Sequence, residues 1–172
     1  MSTSAQTVAT DQKRELLRHA LATLAYRGGK AMRGVPAGFA DFRAGETART
    51  PGKILAHMGD LMDWALSQAK GKEEWHDSAP LAWNAGMQRF FAATQALEDY
   101  LASGEPLAVS AERLFQGAIA DALTHVGQIN LLRRMAGGPV KGENYSRAQI
   151  AAGRVGADQP GRFRYGPTLP KC

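Results

Sequence analysis

The sequence predicts an all-α protein built as a four-helix bundle. Four segments of about 16–26 residues place apolar side chains at helical spacing. Glycine, proline and polar residues separate those segments, and no run shows the period-two alternation of a strand. Four amphipathic helices bury their apolar stripes most simply against one another. The chain of 172 residues is long enough for one domain with a sizeable core and is read as a single domain over 1–172.

The first helix is expected over 11–26, with Leu16, Leu17, Ala20, Leu21 and Leu24 on its apolar side and Asp11 as N-cap. Residues 1–10 are expected to be flexible, and Gly28-Gly29 to end or weaken the helix. Residues 34–49 read as a loop, so a long connection joins helices one and two and permits a crossover. Thr50 can cap the second helix, with Pro51 at its first position, where a missing N–H is harmless. This helix runs through Ile54, Met58, Leu61 and Ala65 to Lys70-Gly71. The charged connector KGKEEWHDSAP follows, then a third helix over about 81–102, closed by Gly104 and Pro106. Ser110 can cap the fourth helix, which stops at Gly137-Gly138-Pro139 and is roughly 38 Å long. The Gly/Pro-rich tail 140–172 is expected to pack over one end of the bundle 11–139, with a short helix near Tyr145–Ala152.

Charge and composition exclude several roles. The net charge of +5 resolves into −1 over residues 1–132 and +6 over 133–172. A nucleic-acid module spreads its basic residues along a docking face, and this footprint argues against one. No stretch approaches the roughly 18 apolar residues of a membrane span. The N-terminus has no apolar signal core, so the expected compartment is the cytoplasm. The single cysteine, Cys172, is the last residue, which excludes a disulfide framework and a cysteine-rich zinc site and argues against a cysteine nucleophile. No Gly-rich nucleotide loop and no GxSxG is present.

The residues that can carry chemistry are His57, Asp121 and His125. Asp121 and His125 are four apart on one helix and project from the same face. The row Leu114, Ala118, Asp121, His125, Gln128 and Leu132 runs close to the core stripe. An ionised aspartate there needs a cationic partner, either a metal ion or an imidazolium. His57 lies on the apolar side of helix two, between Ile54 and Leu61. Two histidines and one carboxylate make a three-ligand set of the kind bundles build from facing helices. A core histidine bonded to a carbonyl and a simple Asp–His hydrogen bond are the plain alternatives. His19 and His76 read as solvated surface residues, Trp64, Phe90 and Phe91 as core packing, and Arg133-Arg134 as partners of a helix C-terminus.

The segments ILAHMGDLMDW at 54–64 and DALTHVGQINLLRRMAG at 121–137 resemble the DinB/YfiT-like superfamily, over about residues 11–152. The stretch His125–Ile129 followed by Leu132-Arg133-Arg134 is the most specific part. The resemblance implies a four-helix bundle with three metal ligands, commonly histidines, on helices two and four, binding zinc or nickel, often in a homodimer. By position His57 is the first ligand and His125 the last, and Asp121 stands where the family's HxxxH pair has its first histidine. A carboxylate there brings iron or manganese into range as well. The superfamily includes thiol-dependent S-transferases and a thiol-dependent isomerase. The expected function is therefore a metal-dependent transferase or hydrolase acting on a small thiol or electrophile. Gln128 would orient a ligand or an outer-shell water, and the tail's Arg147 and Arg154 would offer guanidinium groups to a carboxylate-bearing thiol. The alternative is a non-catalytic, stress-related binding or dimeric structural protein with Asp121 paired to His125 and no metal.

Overall fold

Where each helix starts and stops is decided partly by local chemistry and partly by packing. The computed structural model describes residues 2–157, with side chains from Asp11 onward. Helix α1 spans Ser2–Met32, longer than expected at both ends. Asp11 lies inside it rather than at its cap, and Gly28-Gly29 do not stop it. A Cβ on Gly28 would meet Met32 Cε at 3.0 Å and Phe90 Cε1 at 3.4 Å, and one on Gly29 would meet Phe91 at 3.3 Å. The two glycines let α1 and the third helix approach closely, which offsets the roughly 1 kcal/mol that each costs in helix propensity. Gly34, with φ of +63°, follows just past the helix end.

Helix α2 spans Pro51–Ala69, with the Thr50 hydroxyl accepting from Lys53 N–H at 3.4 Å as the sequence expects. Helix α3 spans Trp83–Ala102 and has no side-chain cap. Its start is pinned instead by Trp83 Nε1, which donates to Met32 O at 3.0 Å. Ser110 caps the fourth rod. That rod is α4, Ala111–Leu114, a π turn, Phe115–Ile119, and α5, Ala120–Met135. The all-helical fold agrees with a helical bundle, and no strand occurs among the described residues. No helix there is long and apolar enough to cross a membrane.

Side-chain contacts give the direction of each rod. Lys13 pairs with Glu112 at 2.6 Å at one end, and Arg133 reaches Ala31 O at 2.8 Å at the other, so α1 and α5 are parallel. Gly117 packs beside Trp64 and Asp121 beside His57, so α2 and α5 are antiparallel. Arg89 donates to Ala56 O, and the Tyr100 hydroxyl reaches Ala69 O, so α2 and α3 are parallel. Each of α1 and α2 packs against both α3 and α5, which puts α1 and α2 on a diagonal. The connection 33–50, with a 3₁₀ turn at Phe39–Asp41, crosses one end of the bundle. The full-length crossover is the connector 70–82, because two parallel helices in sequence require the chain to return. The connection between helices one and two, expected to permit a crossover, crosses one end only.

The shared core includes Leu21, Leu24, Met58, Phe90, Leu97 and Ile129, all essentially inaccessible to solvent. Each such side chain contributes about 1.5–3 kcal/mol relative to exposure. The tail holds one 3₁₀ turn at Tyr145–Arg147, where a short helix to Ala152 is expected. Ala148 is extended, with ψ of 140°, and ends the turn. Glu143 accepts from the Tyr26 hydroxyl and from Lys30, and burial together with that carboxylate pushes the Tyr26 hydroxyl up to about 12. Val155 is fully buried, and Arg33 donates to Ala157 O. The described tail therefore runs along the side of α1 toward α3. The rest of the tail, with Cys172, lies outside the described residues.

Candidate metal centre

The antiparallel seam of α2 and α5 brings His57, Asp121 and His125 together. Each offers one ligand atom, and the three atoms lie within 4.8 Å of one another. The group can therefore share one metal ion. His57 Nε2 is 3.4 Å from Asp121 Oδ2, and His125 Nε2 is 3.5 Å from Asp121 Oδ1. The imidazole rings stand edge to face, with centroids 4.8 Å apart. Both histidines thus turn Nε2 toward opposite oxygens of one carboxylate. A charge-assisted N–H···O bond closes to about 2.7–2.9 Å, and neither contact does.

Gln128 decides what His125 presents. Its Oε1 lies 2.8 Å from His125 Nδ1, a full hydrogen bond. With the amide oxygen accepting, Nδ1 carries a proton and Nε2 faces Asp121. A cation completes that arrangement, either a metal ion on the Nε2 lone pair of the neutral ring or the second proton of an imidazolium. Gln128 itself is exposed, one turn along α5 from His125. Where the sequence reading has Gln128 orient a ligand or an outer-shell water, the structure places its amide oxygen on the His125 ring itself.

The π turn shifts the register of the fourth rod. A π turn adds one residue to the helical ladder, so residues after it are rotated by about 100° from an unbroken helix. The buried row runs through Ala118, Ile119, Ala122, Val126 and Ile129. Asp121 stands beside that row, with its side chain 45% exposed, while His125 is 9% and His57 22% exposed. The expectation that Asp121 lies in the core is corrected: it sits at the mouth, and the histidines lie behind it.

The crossover 70–82 forms the outer wall. Ser67 Oγ accepts from Glu74 N–H at 3.0 Å, and Glu73 Oε1 accepts from Trp64 Nε1 at 3.2 Å and Gln68 Nε2 at 3.0 Å. Farther along, buried Asp60 accepts from Ser78 N–H at 3.0 Å, Ser78 Oγ at 2.7 Å and Arg89 at 2.7 Å. Burial alone would push the Asp60 carboxyl up, but Ser78 and Arg89 together hold it below the ordinary aspartate range. Between these anchors Trp75 stands edge to face with His57 at 5.5 Å and with Trp64 at 5.8 Å. Sequence reading missed Trp75, and the only signal was a large aromatic inside a charged connector.

The remaining expectations divide. Phe90 and Phe91 are buried core residues, whereas Trp64 is half-buried and belongs to the wall. His19 and His76 are exposed, as expected. Arg133 is buried, and its guanidinium donates to Ala31, Arg33, Gly34 and Gly138 carbonyls at 2.8–2.9 Å. It serves the C-terminus of α1 as well as that of its own helix. Tyr145, two residues before Arg147, packs on Tyr26 of α1, and Gly153, next to Arg154, lies near Arg18 and Glu98 on α1 and α3. The tail thus does not bring either arginine to the α2/α5 seam. Comparison with models of protein families, with curated proteins and with solved structures finds no match, so the chemistry of this centre follows from its own residues.

Proposed function

We propose that this chain is a DinB/YfiT-like metal-dependent protein in which His57, Asp121 and His125 hold a divalent transition metal. The observation that carries this reading is the convergence of one ligand atom each from His57, Asp121 and His125 to within 4.8 Å of one another. The donor set fits: two neutral imidazoles and a carboxylate suit zinc or nickel, and also iron or manganese. A divalent ion bound there makes a thiol or a water molecule more acidic and so supplies a nucleophile at neutral pH. His57 and His125 act as neutral donors, Gln128 keeps His125 in the required tautomer, and Asp121 supplies negative charge at the mouth. The reaction class is transfer to, or hydrolysis of, a small electrophile with a low-molecular-weight thiol as partner. A homodimer is part of the same proposal and rests on the family resemblance.

Metal content is the test. Untagged wild-type protein carries close to one equivalent of metal by plasma mass spectrometry, and Asp121→Ala carries much less. An S-transferase assay over a panel of small thiols loses its signal with chelator. Wild type that stays empty after incubation with zinc, nickel, iron and manganese refutes the proposal. A metal-free binding or structural protein is then the remaining reading, favoured by the half-exposure of Asp121, which lets water solvate its carboxylate. In that case His57→Ala alters stability alone.

A further inference from the structure

The crossover holds a large indole in an unusual setting. Trp75 is 47% exposed, yet it is not loose. The His57 and Trp64 rings both pack against it at steep angles, 64° and 88°. The residue before it is tied to Ser67, and Ser78, three residues on, is tied twice to Asp60. Asp60 is fixed in turn by Arg89 from α3. Two independent anchors thus hold an apolar ring half in water, directly beside a candidate ligand. A scattered surface aromatic needs no such support.

We infer that Trp75 is a specificity-determining residue whose exposed surface receives the flat apolar body of a small molecule, while the donor atom of that molecule reaches the metal held by His57, Asp121 and His125. This rests on the metal reading and adds the substrate class: a compact metal-binding head group attached to a planar, apolar body. Edge-to-face and stacked aromatic contacts prefer such a body over a short aliphatic one. Trp64 completes the wall, because Gly117 opposite it bears no side chain and leaves the indole within 3.5 Å of where a Cβ would stand.

The test uses full-length protein loaded with cobalt and two probes that share one head group. Acetohydroxamate and benzohydroxamate are titrated while the cobalt d–d absorption is followed, and each affinity is divided by that for free cobalt. Wild type favours benzohydroxamate by about tenfold. Trp75→Ala brings the ratio to near parity, and Trp75→Phe keeps most of it. Taking a ratio cancels any change in cobalt affinity caused by losing the contact with His57. A wild type without preference, or Trp75→Ala with the wild-type ratio, overturns the inference and leaves the metal centre standing. Wild type that takes up no cobalt overturns the metal centre and the wall together. Cobalt quenching of indole fluorescence gives an independent readout: it falls in Trp75→Phe if Trp75 is the indole beside the ion, and unchanged quenching counts against the placement.

Discussion

Replacing Gln128 by leucine removes the acceptor of the His125 Nδ1 proton and little else. The side chain becomes one atom shorter and apolar, and its exposed position on α5 limits the stability change to about ±0.5 kcal/mol. The bond lost is a single one, at 2.8 Å. Removing the partner of a metal-bound imidazole weakens metal binding by about 10- to 100-fold. The exposure of Gln128 lets water take up the vacated proton, so the loss belongs at the low end, about tenfold or 1.4 kcal/mol. Gln128→Glu reverses the effect, because a carboxylate accepts the same proton more strongly and makes the ring a better donor. Asp121→Ala removes a ligand and falls well below both. Competition for zinc against a chromophoric chelator at fixed pH ranks the variants: Gln128→Glu at or above wild type, Gln128→Leu about tenfold below it, and Asp121→Ala lowest. Equal affinity in Gln128→Leu and wild type would show that the Gln128 bond does not govern how His125 binds. A Gln128→Glu as weak as Gln128→Leu would refute the tautomer argument.

Two further predictions concern the scaffold. Arg133→Met strands the carbonyls of Ala31, Arg33, Gly34 and Gly138, each costing about 1–3 kcal/mol where water cannot replace the donor, and lowers stability by about 3–5 kcal/mol. At about 2–4 °C per kcal/mol, the thermal midpoint of chelator-treated protein drops by roughly 6–20 °C, and Arg133→Lys recovers little because an ammonium lacks the planar fork. A midpoint within a degree or two of wild type contradicts this role. Asp60→Asn removes the buried charge that Arg89 and Ser78 bond, leaves half-buried Arg89 paired with Asp63, and loosens the crossover, with a penalty at neutral pH of about 1.5–3 kcal/mol. Because the folded carboxyl lies below its ordinary value of 3.8, its contribution is fully present above that value and disappears as pH falls through the lower folded one. Denaturant unfolding of wild type and variant therefore differs most near pH 7 and converges in acid. A gap that does not depend on pH would mean the charge of Asp60 is not what matters.

Much of the helical layout was legible because it depends on local chemistry. Thr50-Pro51 and Ser110 mark helix starts through hydrogen bonds made within one turn, and the apolar spacing of α2 and α3 needs no knowledge of neighbours. Locality also places His57, Asp121, His125 and Gln128 on or beside the apolar stripes of their helices, whereas the adjacency of α2 and α5, in place of a diagonal, comes from the packing. The errors arose where distant residues intervene. Gly28-Gly29 read as a stop because helix propensity is local, yet Phe90 and Phe91 turn the missing side chains into a packing surface.

By itself the sequence determined that the chain is helical, where most helices start, and which three side chains are candidates to share an ion. Tertiary structure alone decided that α2 and α3 run parallel, so that residues 70–82 must return along α2 and carry Trp75 over the seam. It also decided that Asp121 stands at the mouth and not in the core. The reason is that a π turn adds one residue to a helical ladder, a choice governed by how Ile119 and Ala122 pack against the other rods. Side-chain spacing along one chain is set by the backbone, whereas the facing of two rods is set by the contacts between them.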